Sequence, residues 1–327
     1  MFDVIAVGSA TRDVFFEGDF KIIPYDLTPS GRALVLPFGE KLAANNAYFT
    51  IGGNAANASV TFARQGFKTA VVAPVGDDVS GEEIRRRLKK EGVDTSRIIT
   101  TPHMTAYSVL LLEGGERTII NYPGASGEFS LKEVSLNKLN SKWWYVSLPG
   151  GSYSAFRELM QAAKKIGVKV ALNPSMNHII HGKEELLRLL PEISFLVLNE
   201  SEAAELTGIS FKKAEEVFSK LDKLMPGIVA VTSGNKGVTV SDGKFVYRAG
   251  IFKEERLVDR TGAGDAFGSG FIAGMLQEND IEYAIRLASA NATAAVERIG
   301  ATEGLLTKDE FKKEKRFEVL NISKIAL

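Results

Sequence analysis

Short apolar runs alternate with longer amphipathic ones through most of the chain. The runs DVIAVG (3–8), TAVVAPVG (69–76), WWYVSL (143–148), KVALNP (169–174), FLVLN (195–199) and IVAVTSG (228–234) are largely apolar, the pattern of strands buried on both faces. Between them, helix-like patterning covers 54–65, 80–91, 152–166, 183–190, 200–207, 212–224, 265–278 and 280–298. The alternation predicts an α/β fold, a mostly parallel sheet with helices on both faces. Ligands of such sheets bind beyond the carboxyl ends of the strands.

Two stretches break the rhythm. Residues 14–51 carry no helical pattern but hold alternating pieces such as RALVL and AYFTI, and residues 104–122 read as two strands about the turn EGGE. Both leave the main sheet near its carboxyl edge, so they are expected to form a small sheet that covers the site as a lid. No Pro/Gly/Ser-rich linker, fixed-period repeat or low-complexity tract divides the chain, and residues 1–327 are expected to form one domain with that lid.

Composition narrows the function. Lys+Arg and Asp+Glu both number 40, so no global field favours nucleic acid or an anionic membrane. There is no cysteine, which excludes disulfides, thiolate catalysis and zinc–thiolate sites. No apolar run reaches membrane-spanning length, and the start MFDVIAVGSA lacks a basic leader region, so a cytoplasmic location is the default expectation. The run KKEKR (312–316) reads as a solvated helix face, and His178 and His181 of HIIH read as loop or surface residues rather than metal ligands.

The stretch VDRTGAGDAF (258–267) carries the most chemistry. It lies between a strand-like segment ending near Val258 and a helix expected near Asp265. Glycines permit positive φ and close approach, and successive amides at a helix start bind anions. Residues 262–265 can therefore hold a phosphoryl group, with Asp265 placed to take a proton from an attacking hydroxyl. On residues alone, Asp265 as a helix cap behind a tight turn fits as well. The following helix holds Gly268, Gly270 and Gly274, each costing roughly 1 kcal/mol against Ala, so a close packing partner is expected. GSGFIA (268–273) matches a loose dinucleotide fingerprint but falls inside a helix, and GDDVSG (76–81) is followed by Glu82 where a P-loop needs Lys. IGGNAANASVTFARQG (51–66) opens with Gly52 and Gly53 and places Asn54 and Asn57 in a first helical turn. These residues suit a ligand hydroxyl or an ordinary turn with an Asn cap. Asp13, just past the first predicted strand, suits a sugar hydroxyl or a surface turn.

GGNAAN and DRTGAGDAF, with PVGDDVSG (74–81), LNESEA (198–203), TSGNKGV (232–238), ANA (290–292) and GA (300–301) in this order, resemble the motifs of ribokinase-like (PfkB-type) carbohydrate kinases. The resemblance spans almost the whole chain and implies a ribokinase-like three-layer sandwich with a β-sheet lid. It implies transfer of the γ-phosphoryl of ATP, with Mg²⁺, to a hydroxyl of a small sugar. Asp265 matches the base, and Gly262, Ala263 and Gly264 match the anion hole. Asp13, Gly53 and Asn57 match sugar contacts. Asn199, Thr232, Gly234 and Gly237 match nucleotide-binding positions, and Asn291 a residue beside the adenine. Glu202 matches a residue acting on magnesium through water, and Asp259 and Thr261 fall where many members bind a monovalent cation such as K⁺. The family usually has a small residue where this chain has Arg260. Lid strands often pair between subunits, which implies a homodimer. GGERTIINYPGAS (114–126) and LNPS (172–175) resemble sugar kinases, so ribose or a ketohexose is expected. A nucleoside would need an aromatic pocket, for which Phe15, Phe16, Phe49 and Tyr107 are candidates, and a sugar phosphate would need a basic one, for which Arg12 is a candidate. A non-catalytic regulator on the same fold is the remaining alternative.

Overall fold

The computed structural model describes the chain from Met1 to Leu327 except Pro29, Gly114, Gly115, Glu128, Glu133 and Gly151, so the centre of the expected EGGE turn lies outside the described residues. The chain starts with β1 (Phe2–Gly8), then runs through β2 (Thr11–Glu17), the hairpin β3 (Lys21–Pro24) and β4 (Arg32–Val35), and β5 (Asn46–Gly52). α1 (Asn54–Arg64) leads to β6 (Thr69–Val72), followed by β7 (Pro74–Gly76), α2 (Val79–Lys90) and β8 (Ile99–Thr101). Next come β9 (Ala106–Glu113), β10 (Glu116–Tyr122) and the short α3 (Gly124–Gly127). Alternation resumes with β11 (Ser141–Ser147), α4 (Tyr153–Ile166), β12 (Lys169–Leu172), α5 (Met176–Leu189), β13 (Phe195–Asn199), α6 (Glu200–Thr207), α7 (Ala214–Leu224) and β14 (Ile228–Thr232). The chain ends with β15 (Val238–Ser241), β16 (Phe245–Ala249), α8 (Ala263–Glu278), α9 (Ile281–Ala295), α10 (Lys308–Lys313) and β17 (Ile322–Ala326).

Nine strands form the main sheet in the order β17-β16-β15-β14-β13-β12-β11-β1-β6. Pairing is parallel from β6 to β14 and antiparallel from β14 to β17. Strand residues alternate between faces. Val4 and Ala6 join Phe62, Ile84, Phe271 and Ile285 in one core, under α1, α2, α8 and α9. Ile5 and Val7 join Leu159, Leu186, Leu206 and Leu221 in the other, under α4 to α7. This two-sided burial is why the strands read as continuous apolar runs rather than alternating ones.

α8 is buried at every residue from Asp265 to Gly274, as an all-round apolar helix must be. Its glycines answer to close neighbours. A Cβ on Gly270 would lie 2.9 Å from the Ala288 Cα, and one on Gly274 2.5 Å from the Ala284 Cα. The α8–α9 backbone approach therefore requires glycine at both positions.

A second, four-stranded sheet has the order β10-β9-β2-β5, with β2 and β9 parallel and the other pairs antiparallel. It starts at Thr11 rather than residue 14, so Asp13 lies inside β2 and not in a turn after β1. Other expectations are corrected as well. The run 69–76 divides into β6 and β7, which belong to different sheets. Residues 250–262 hold no strand, and Val258 is tied instead to the end of α9, its amide donating to the Val296 carbonyl at 2.8 Å. α5 begins at Met176, with its non-helical kink at Gly182, and buries His178 between Tyr153 and Phe156. His178 is thus a core residue, while His181 is exposed. Among the described residues no helix is long and apolar enough to cross a membrane.

Candidate active site

The glycine-rich turn before α8 is fixed from several sides. Gly262 is the N-cap at φ 78, in the left-handed region that favours glycine, and a Cβ there would lie 2.6 Å from that of Ala301. Asp259, buried, accepts the Thr261 amide (2.9 Å) and hydroxyl (2.6 Å) on Oδ1 and the Gly300 amide (3.2 Å) on Oδ2. Arg117 from β10 brings its Nε to 4.0 Å from the same Oδ1. Asp259 and Thr261 therefore stand together, as a brace for the turn. α8 starts at Ala263, two residues before the expected start. The first amides of any helix lack intrahelical acceptors, and here the Ala263 amide makes a long contact, 3.4 Å to the Arg260 carbonyl.

Asp265 is buried in the first turn of α8 between two amides. Asn57 Nδ2 donates to its Oδ2 at 2.9 Å, and Asn173 Nδ2 to its Oδ1 at 3.1 Å. Burial pushes the carboxyl up to about 6, opposed by the Asn57 hydrogen bond. Such a group is mostly ionised at neutral pH and still basic enough to take a proton. The Oδ1 of Asn57 is buried and has no partner among the described residues, so a donor there would satisfy it.

The start of α1 differs in detail from the expectation. Ser9 already occupies its amides, its hydroxyl accepting from Asn54 and its carbonyl from Ala55 and Ala56. Side chains rather than these amides are left to meet a ligand. Asp13 accepts the Thr11 hydroxyl at 2.8 Å, and a Cβ on Gly52 would collide with its Oδ2 at 1.9 Å, which explains that glycine. Desolvation raises the Asp13 pKa, with Asp259 adding to the rise. Gly53 is the N-cap of α1 beside it.

A cleft of about 850 Å³, counting space open to solvent, runs from Ala263 and Gly264 at the start of α8 to the end of β14. Thr232, Gly234 and Gly237 line one wall, Ala263, Gly264 and Phe267 the floor, and Ser289, Ala292, Thr293 and Val296 of α9 the other wall. The structure corrects one position. Asn291 is fully buried and faces away, its Nδ2 donating to the Ala266 carbonyl (2.9 Å) and Thr61 hydroxyl (3.2 Å) and its Oδ1 accepting from Leu306 (2.9 Å). It ties α9 to α8 and the C-terminal loop.

Asn199 and Glu202 form a capping box at the start of α6, Glu202 Oε2 accepting the Asn199 amide at 2.9 Å. Burial, and next the charge of Asp265, raise the Glu202 pKa. Among the described residues no group of three or more His, Cys, Asp or Glu is placed to hold a metal. Such a donor set would suit only an ion ligated chiefly by phosphates and water.

Three residues went unassigned in the sequence reading. Asn173 and Tyr145 belong to the Asp265 network, and Arg260 lines the cleft. The available signal for Asn173 was its place just past a strand end, within LNPS. Arg12, next to Asp13 in β2, points to the opposite face of the sheet. It donates to the Thr50 carbonyl at 3.0 Å and stacks on Phe49 at 5.6 Å. Of the aromatic candidates, only Phe15 shares the Asp13 face, and it packs with Leu110 and Leu112; strand register puts Phe16, Phe49 and Tyr107 on the opposite face.

Comparison with known proteins shows the family and the fold. The profile described as pfkB family carbohydrate kinase matches residues 19–308, and the chain belongs to that family. It is 33% identical over 286 residues to a ribokinase of Haemophilus influenzae, covering 83% of this chain and 89% of that one. It is 27% identical over 251 residues to a nucleoside kinase of Methanothermobacter thermautotrophicus, covering 76% and 79%. The structure of Arabidopsis thaliana ribokinase complexed with ribose and ATP matches at a TM-score of 0.77 and 25% identity, over 97% of this chain and 99% of that one. The fold is the ribokinase fold, and the protein is a kinase of the sugar and nucleoside class.

Proposed function

We propose that the protein transfers the γ-phosphoryl group of Mg-ATP to a hydroxyl of a small free sugar of the ribose or ketohexose type. The observation that carries this reading is Asp265, clamped between Asn57 and Asn173 at the start of a helix whose first amides open onto the cleft. The acceptor hydroxyl oxygen attacks the γ-phosphorus, its proton passes to Asp265, and the bond to the β-phosphate oxygen breaks to release ADP. The turn amides of Gly262, Ala263 and Gly264 offset charge on the transferring group. Thr232, Gly234 and Gly237 hold the nucleotide, and Asp13, Gly53 and Asn57 hold the sugar. Bound magnesium supplies charge neutralisation of the phosphates, and Glu202, with Asn199, would hold it through water. Asp259 and Thr261 brace the turn, with a monovalent cation such as K⁺ tested as a further support. The four-stranded sheet acts as the lid that excludes water, and its exposed Ile120 and Tyr122 are the surface through which a homodimer would form.

A free sugar is favoured over a nucleoside because the aromatic candidates other than Phe15 face away from Asp13. The likeness to the nucleoside kinase keeps a nucleoside as the second reading. The test is ADP release from Mg-ATP, with and without K⁺, over ribose, fructose, fructose 6-phosphate, 2-keto-3-deoxygluconate, adenosine, inosine and cytidine. Strong turnover of one free sugar supports the reading. Turnover of nucleosides alone overturns the acceptor assignment, and silence with every compound while ATP binds overturns the reading as a whole.

A further inference from the structure

Asn173 stands at the first position beyond β12. Its amide donates to the Val146 carbonyl at 2.9 Å, and its own carbonyl accepts the Ser147 hydroxyl at 2.6 Å. The Ser147 oxygen accepts Asn54 Nδ2 at 2.6 Å, so the Asn173 backbone is tied to β11 and to the start of α1. The side-chain Nδ2 reaches two oxygens, Asp265 Oδ1 at 3.1 Å and Tyr145 Oη at 3.4 Å. Tyr145 is wholly buried, and desolvation, with the Asp265 charge behind it, keeps its phenol neutral. A reversed Asn173 amide would set its oxygen against the ionised carboxylate, so the charge on Asp265 fixes the amide orientation.

We propose that Asn173 is a positioning residue for the phosphoryl transfer. With Asn57 it forms a two-sided amide clamp that keeps Asp265 ionised and fixes the plane of its carboxylate. Each amide engages a different oxygen, so loss of either frees the carboxylate to rotate about its bond to Cβ. Hydrogen bonds to an ionised group are stronger than neutral ones and favour that form. They oppose the desolvation that burial imposes. Asn173 is not among the residues that line the nucleotide cleft, and its side chain meets Asp265 and Tyr145. The inference rests on Asp265 being the base, and the two claims separate experimentally.

The test measures urea unfolding from pH 5 to 8 for the wild type, Asn173→Ala, Asp265→Asn and the double variant. It is accompanied by turnover of Mg-ATP with D-ribose. Without Asn173, the ionisation of Asp265 is expected to move up by about one pH unit. Asn173→Ala therefore loses stability increasingly as pH rises, and this pH dependence vanishes in the Asp265→Asn background. The acid limb of kcat/KM moves up by the same amount while KM for ATP stays within about twofold. Asn173→Asp keeps the shape but replaces a donor with a like charge, and is expected to shift the ionisation further. A pH-independent loss in Asn173→Ala, the same in both backgrounds, would overturn the clamp. Should Asp265→Asn retain turnover, the base assignment fails instead, whatever Asn173 does.

Discussion

The glycines of α8 allow a matched pair of substitutions with opposite expected signs. Gly274 and Gly264 sit in the same helix, and intrinsic propensity alone favours Ala at an interior position by roughly 1 kcal/mol. At Gly274 the added Cβ would stand 2.5 Å from the Ala284 Cα and 3.1 Å from its Cβ. An ordinary carbon contact is about 3.5–4.0 Å, so α9 must retreat by about 1 Å along a buried seam. Overpacking of this kind costs about 1–3 kcal/mol, which offsets or exceeds the propensity gain; with a midrange cost, Gly274→Ala is less stable by about 1 kcal/mol. A Cβ on Gly264 meets nothing within 4 Å, so Gly264→Ala is expected to match or exceed the wild type in stability. It lines the cleft beside the turn amides, and its methyl would stand where the phosphoryl group is proposed to bind, so turnover should fall at least about tenfold. Urea unfolding at constant m-value, alongside ADP release, separates the two effects. A Gly274→Ala variant as stable as the wild type would refute close approach as the reason for the glycines. Full activity in Gly264→Ala would refute the anion-site reading.

Other outcomes are equally specific. His178 is buried with its pKa lowered to about 4 by desolvation, against an ordinary 6.5. The unfolded chain binds the proton first, so the stability it contributes is present above pH 6.5 and is lost as pH falls towards 4, by up to about 3 kcal/mol. His178→Phe should flatten that part of the pH–stability curve, and an unchanged slope would count against the shift. Asp13→Ala is expected to raise KM for the sugar at least about tenfold with little change in KM for ATP; equal changes would mean a structural role. Arg260→Ala is expected to raise KM for ATP severalfold and leave KM for the sugar unchanged, because Arg260 lines the cleft proposed to take the nucleotide.

Legibility in the sequence followed burial. Strands β1, β6, β11, β12, β13 and β14 are covered on both faces and stand out as apolar runs, and the helices between them follow. β15, β16 and β17 were not distinguished, because short strands towards one edge alternate and mimic loops. The glycine turn and the helix start beside Asp265 were legible because a left-handed N-cap favours glycine and an acid suits a first helical turn. Asn291 was not, because one residue along a helix turns a side chain by about 100°. The cleft takes Ser289, Ala292, Thr293 and Val296, and the neighbouring Asn291 points into the core. The contact of Asn173 with Asp265 was hidden for another reason. It depends on the meeting of β12 with α8, separated by 92 positions, and no local pattern encodes that contact.

The most direct measurement is single-turnover phosphoryl transfer by wild type and Asp265→Asn at pH 7.5, with ATP binding measured in parallel. The acceptor is the best substrate from the sugar panel. The account expects the variant to fold and bind ATP as the wild type does, while its transfer rate falls by at least about a thousandfold. A variant that binds ATP and transfers within tenfold of the wild-type rate would contradict the assignment of Asp265 as the base.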